Sequence, residues 1–90
     1  MTWLLICRDR PGALSIRQET RDAHLAYLKG SGVVRLAGPL TDDAGAMNGS
    51  LLEIDVADRA AAEAFAAADP YAEAGLFESV EIVAWKRVLG

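Results

Sequence analysis

His24 is the only histidine in the chain, and an imidazole titrates near neutral pH, so it is the first side chain to consider for proton transfer. It lies in "RDAHLAYL" (21–28). With Arg17, Arg21 and Leu28 it falls at i, i+4, i+7 and i+11 of a helical pattern. Leu25 and Leu28 are the expected core anchors of that helix. Arg21 and His24 therefore sit beside the core stripe rather than on the solvent side. Such a histidine is either a general base or acid, or a ring hydrogen-bonded at the edge of the core.

Asp69 is the second candidate. It stands in "AADPYAEAGLFESV" (67–80), where an alanine-rich helix stops at Asp69-Pro70. Aspartate before proline makes a good N-cap for "PYAEAG", and Gly75 ends that turn. The same carboxylate could orient His24 and raise its basicity. The two roles are compatible, because one oxygen can cap while the other accepts from the imidazole. Spacing alone leaves the contact open.

Other chemistries find little support. One histidine and one cysteine make no metal-ligand pattern, so no metal is expected. No G-x-G-x-x-G and no phosphate-loop lysine motif is present, so no nucleotide cofactor is expected. Ser15, Ser31, Ser50 and Ser79 lack a nucleophile-elbow motif. Cys7 lies inside an apolar run and reads as a small core residue.

The elements that must position these residues follow from pattern. Residues 2–8, "TWLLICR", read as a strand, and 9–15 as a loop carrying Pro and Gly. Residues 16–32 read as helix, stopped by Gly30 and Gly32, with Lys29 in its last turn. Residues 33–38 form a strand closed by Gly38-Pro39, and 41–49 a loop in which Asn48-Gly49 signals a turn. Residues 50–56 alternate as a strand. Asp58 caps a helix over 59–68, and 77–89 form the last strand. The order β-α-β-β-α-β is the ferredoxin-like, split βαβ arrangement: one antiparallel sheet with both helices on one face.

Ninety residues make one domain, 1–90. The composition, 52% hydrophobic and 24% charged, is globular. The net charge is −4 and the nine basic residues are scattered, which argues against nucleic acid or an anionic membrane as partner. A single cysteine suits a cytoplasmic location. The opening "MTWLLICRDR" is too short in apolar length for a signal peptide or a bilayer span.

The first and last strands are apolar on both faces. Trp3, Leu5 and Cys7 oppose Leu4 and Ile6, and Val80, Ile82 and Ala84 oppose Val83 and Trp85. Two helices cover only one face. A second copy packed sheet to sheet would cover the other, so a homodimer is expected; the alternative is that these residues are scattered and tolerated.

The residues 21–28, then Ala37-Gly38-Pro39, Gly49-Ser50 and "ADPYAEAGL" (68–76), resemble the YCII-related domain family, in order over most of the chain. The His-Leu pair and the D-P-Y…A-G segment are the specific parts. The resemblance implies a small ferredoxin-like domain that dimerises through its sheet as an α+β barrel. It also implies a catalytic histidine–aspartate pair, here His24 and Asp69. Most members have no assigned substrate; one branch is associated with dehydrohalogenation of a chlorinated aromatic diol. The chain departs from the family pattern at Ala72, Phe77 and 84–88, and its 41–49 loop is short, so no substrate carries over.

Two functions follow as expectations. The first is a small acid–base enzyme, lyase- or hydrolase-like, without cofactor. His24 would be the base, Asp69 its orienter, and Arg21 the holder of an anionic or phenolate oxygen. Gly38 would let backbone approach the ligand, and Tyr71 would supply a wall or a hydroxyl. Leu28, Leu76 and Phe77 would make the surroundings apolar, favouring a small, partly apolar organic molecule. The second is a non-catalytic dimeric ligand-binding or accessory domain, in which the pair only locks helix to turn.

Overall fold

A computed structural model describes all 90 residues. The elements are β1 (Thr2–Asp9), α1 (Leu14–Ser31), β2 (Val34–Thr41), β3 (Met47–Asp55), α2 (Arg59–Ala68), α3 (Pro70–Glu73) and β4 (Phe77–Ala84). The four strands form one antiparallel sheet in the order β2-β3-β1-β4, so the expected ferredoxin-like topology is the observed one. No helix is long and apolar enough to cross a membrane.

Strand alternation decides the layers. Trp3, Leu5 and Cys7 of β1 and Leu52 and Ile54 of β3 point to the helical side, where Leu28 of α1 and Ala62 of α2 close the core. Asp58 caps α2 as expected, its carboxylate accepting from the Ala61 N–H at 2.8 Å. A smaller apolar cluster of Ala13, Tyr71 and Leu76 fixes α3 and the turn after it. Leu28 is a core anchor as expected, but Leu25 is only half-buried, and Tyr27 packs against the core instead.

Several boundaries differ from expectation, each for a local reason. Helix α1 starts at Leu14, two residues early, because no side chain caps it and the sequence carried no start signal there. Strand β2 runs through Pro39 to Thr41. It is an edge strand, and a proline is tolerated where its missing N–H costs no ladder bond. Asn48-Gly49 is not a turn; it lies within β3. The reversal is made earlier, by Asp42 accepting from the N–H groups of Ala44 and Ala46 and by Gly45 at φ +88°.

Gly49 serves a different need. It pairs with Arg8 on one side and Leu40 on the other, and an added Cβ would collide with the Cys7 carbonyl. Gly49→Ala is therefore expected to cost about 1–3 kcal/mol, the usual penalty of overpacking. Thermal unfolding would show it as a fall in Tm of at least about 4 °C. An unchanged Tm would mean the strands separate without cost.

The last strand stops at Ala84, not at residue 89. Its partner β1 begins at Thr2, so after the Trp85 N–H to Thr2 carbonyl bond the ladder has nothing to pair with. Arg87 then reaches Glu53, a buried carboxylate of β3 facing away from the helices, at 2.6 Å. Leu4, Ile6, Leu51 and Val83 remain only half-buried on that side, and Leu36 is exposed.

Candidate functional site

Helix α1 lies beside β2 without closing onto it. Between the helix and the β2–β3 edge is a cavity of about 230 Å3. Arg17, Arg21, His24, Leu25 and Leu28 line it from the helix. Ala37, Gly38, Pro39, Met47, Ser50 and Leu52 line it from the sheet, and Tyr71 closes one end.

Sequence spacing left the contact between His24 and Asp69 open, and the fold makes it. The imidazole Nδ1 lies 2.8 Å from Asp69 Oδ1, and both side chains are buried. Asp69 also caps α3: the same Oδ1 accepts from the Tyr71 N–H at 2.9 Å. The two roles thus fall on one oxygen rather than being divided between two. With a carboxylate accepting at Nδ1, the Nδ1–H tautomer is favoured, and Nε2 is left as the basic nitrogen.

Tyr71 fixes the ring from one side. Its phenol ring stacks on the imidazole with centroids 3.9 Å apart and planes 16° from parallel. The Arg17 guanidinium lies over the Tyr71 ring at 4.7 Å. Residues 17 and 24 are two helical turns apart, about 10 Å. The stacked imidazole occupies one face of the phenol, so the guanidinium takes the other. Burial raises the Tyr71 phenol above its ordinary range, against the opposing pull of Arg17 and Arg21. It is therefore neutral near pH 7 and does not compete with His24 as a base.

Arg17 was not singled out as a site residue, nor were Asp9 and Ser50. Arg17 Nε and Nη2 donate to the two oxygens of Asp9, each at 2.8 Å, and Nη2 also donates to Ser50 Oγ at 2.9 Å. All three groups are inside the protein: the Arg17 and Asp9 side chains are 3% and 6% exposed. Burial would lower the Arg17 pKa, but the hydrogen bonds and charge of Asp9, with a smaller contribution from Tyr71, outweigh it and hold the guanidinium charged. Two signals were present in the sequence. Arg17 is at i−7 from His24 on the same helix face, and Asp9 continues the inward row Trp3, Leu5, Cys7.

The remaining expected residues are placed as follows. Arg21 lines the cavity mouth, is exposed and forms no ion pair. Gly38 lines the cavity through its backbone. A Cβ there would meet nothing within 4 Å, and by strand alternation it would point to the opposite face with Leu36 and Leu40. Leu76 and Phe77 do not line the cavity; they pack behind Tyr71. The apolar surfaces are Leu25, Leu28, Pro39, Met47 and Leu52 instead.

Cys7 is buried next to this network. Burial, then the charge of Asp69, pushes its thiol up from 9.0 to about 12. Alkylation by iodoacetamide at pH 8 is expected to be about a thousandfold slower in the folded protein than in urea. Comparable rates would mean the thiol is open to solvent. The sign of the pH effect follows. Below about 9 the thiol is protonated in both states, and its contribution to stability is full. Between about 9 and about 12 only the unfolded chain ionises, so stability falls as pH rises. No three His, Cys, Asp or Glu side chains gather into a metal-holding group.

The YCII-related domain profile matches residues 1–86. The chain belongs to the YCII-related domain family. It is 34% identical to the protein YciI of Escherichia coli O6:H1 (strain CFT073), over 98% of this chain and 99% of that protein. YciI of Shigella flexneri is equally similar. Among solved structures, it resembles the 5-chloro-2-hydroxyhydroquinone dehydrochlorinase of Burkholderia phenoliruptrix AC1100, determined with 2,5-dihydroxybenzoquinone. The TM-score is 0.88 and the identity 32%, over 98% of this chain and 96% of that one. Rv0793 of Mycobacterium tuberculosis shares the fold, with a TM-score of 0.62 at 14% identity, over 99% of this chain and 97% of that one.

Proposed function

We propose that this YCII-related protein is a small acid–base enzyme in which His24 takes a proton from a phenol or enol-forming substrate. The observation that carries this is the buried Asp69–His24 pair on the wall of a cavity, with Nδ1 engaged and Nε2 left to act. Asp69 would stabilise the imidazolium formed, and Tyr71 would hold its plane. Arg21, which has no acidic partner, would meet the substrate's anionic oxygen at the mouth. Gly38 would offer backbone to the ligand. The cavity is small and half apolar, which fits one substituted ring.

The dehydrochlorinase at 32% identity makes a lyase-type elimination the first reaction to test. Its own substrate, 5-chloro-2-hydroxyhydroquinone, is the natural starting compound, with related chlorinated hydroquinones beside it. Chloride release above the uncatalysed rate, lost in His24→Ala, supports the proposal. Tight binding of these compounds without turnover would favour the accessory-domain function instead.

The same proposal includes a second copy of the chain over the uncovered sheet face. The half-buried Leu4, Ile6, Leu51 and Val83 and the exposed Leu36 support this, as do Val88 and Leu89, which are 88% and 91% exposed. Light scattering would read a mass of twice 9.6 kDa if so, and a single-chain mass would reject it.

A further inference from the structure

A second hollow adjoins the first, and the proposed chemistry does not use it. It measures about 300 Å3 and lies between the last turns of α1 and the start of β2. Leu25, Leu28, Lys29, Gly32, Val34 and Ala37 line it. Leu25, Leu28 and Ala37 belong to both hollows, so the two meet along an apolar ridge.

The chain builds this groove with a bulge. Val34 pairs with Ile54 and Ala37 with Leu52, and both partners point to the helical side. Residues three apart in a regular strand face opposite ways. The register shift between Val34 and Leu36 absorbs the odd residue, Arg35, so Val34 and Ala37 face the helix together. Pro39, two residues on, continues the same row into the first cavity. The wall is therefore continuous from groove to cavity. At the far end Gly32 closes α1 at φ +73°, and the space where its Cβ would stand is open.

We infer that the substrate's ring carries an uncharged apolar arm of about five carbons, which spans the roughly 7.5 Å of helix between His24 and Lys29 and lies in this groove. This rests on the acid–base reading of the site and names the shape of its substrate. Leu25 supports it. Its position in the sequence is that of a core anchor, yet it stays half-buried at the junction of the two hollows. Val34 is half-buried and Ala37 exposed along the same path. An apolar arm would take these surfaces out of water, while the ring stays beside His24. Lys29 is the one charged residue of the groove and is exposed, so the arm ends there at solvent.

The probes are 4-methylphenol, 4-propylphenol and 4-pentylphenol, titrated into the wild type and Val34→Phe. Val34 lines the groove and not the first cavity, so a larger side chain there obstructs the arm and spares the ring. A fully buried methylene is worth about fourfold in affinity, and a groove open on one side about half that free energy, or about twofold. Affinity should therefore rise about 15-fold from 4-methylphenol to 4-pentylphenol in the wild type. In Val34→Phe the rise should vanish while 4-methylphenol binds as before. A second readout needs no variant: the terminal methyl of 4-pentylphenol should give NOEs to the Val34 and Leu25 methyls. Equal affinity for the three phenols would overturn the inference and leave His24 to its own rate test. So would NOEs to Leu4 and Ile6, which would put the arm on the open sheet face. Val34 methyl resonances that shift on dilution without ligand would mean that a second copy fills the groove, and the inference would fall. A wild type that binds none of the three would overturn the proposed function and this inference together.

Discussion

His24→Ala is expected to lower the rate constant on any substrate the protein turns over by about 10²- to 10⁴-fold, the usual contribution of a positioned general base. The loss should fall on kcat more than on KM, because a base acts in the transition state. Asp69→Asn is the informative companion. An amide keeps an acceptor for the Tyr71 N–H, so the α3 cap survives, but it loses the charge that stabilises the imidazolium. Its rate should therefore drop steeply while its urea midpoint moves little. A fall of less than tenfold in His24→Ala would remove His24 from the chemistry. A large loss of stability in Asp69→Asn, with the rate preserved, would reduce the aspartate to a cap.

The largest expected effect on stability is at the Asp9–Arg17 pair. Asp9→Ala leaves a guanidinium charged and without its main acceptor inside the protein. Removing one partner of a buried pair typically costs about 3–5 kcal/mol. Arg17 lines the cavity and gains some solvation from it, so the lower end, about 3 kcal/mol, is expected here. That is a large part of the stability of a domain this small. The double variant Asp9→Ala/Arg17→Met removes both charges and should recover much of the loss. The coupling energy from the cycle then isolates the pair. Urea unfolding of the four proteins makes the measurement. A cost below about 1 kcal/mol for Asp9→Ala would mean that water, not Asp9, solvates the guanidinium.

How far the sequence reaches is clearest residue by residue. The first strand declared itself as a short apolar run, "TWLLICR", and α2 did so through its Asp58 cap. Asp69 as a cap was legible because Asp-Pro is a local signal. Its contact with His24 was not, since it joins residues 45 apart in sequence and depends on α3 docking against α1. The family resemblance, not spacing, brought those two residues into one expectation. Ser50 and Asp9 escaped for the same reason: what matters about them is Arg17, which reaches both only after β1, β3 and α1 have packed. Arg17 lay on the His24 face of the helical pattern, but spacing could not show what it would meet there. Asn48-Gly49 misled because its local turn preference was overruled by the need for a residue without a side chain beside the Cys7 carbonyl.

The most direct test is the long-range 1H–15N NMR spectrum of the single imidazole at alkaline pH, with and without 4-nitrophenol. The ring should carry its proton on Nδ1, held by Asp69, and the bare Nε2 resonance should move when the phenol is added. A ring protonated on Nε2, or an Nε2 resonance indifferent to the phenol, would contradict His24 as the base of this cavity.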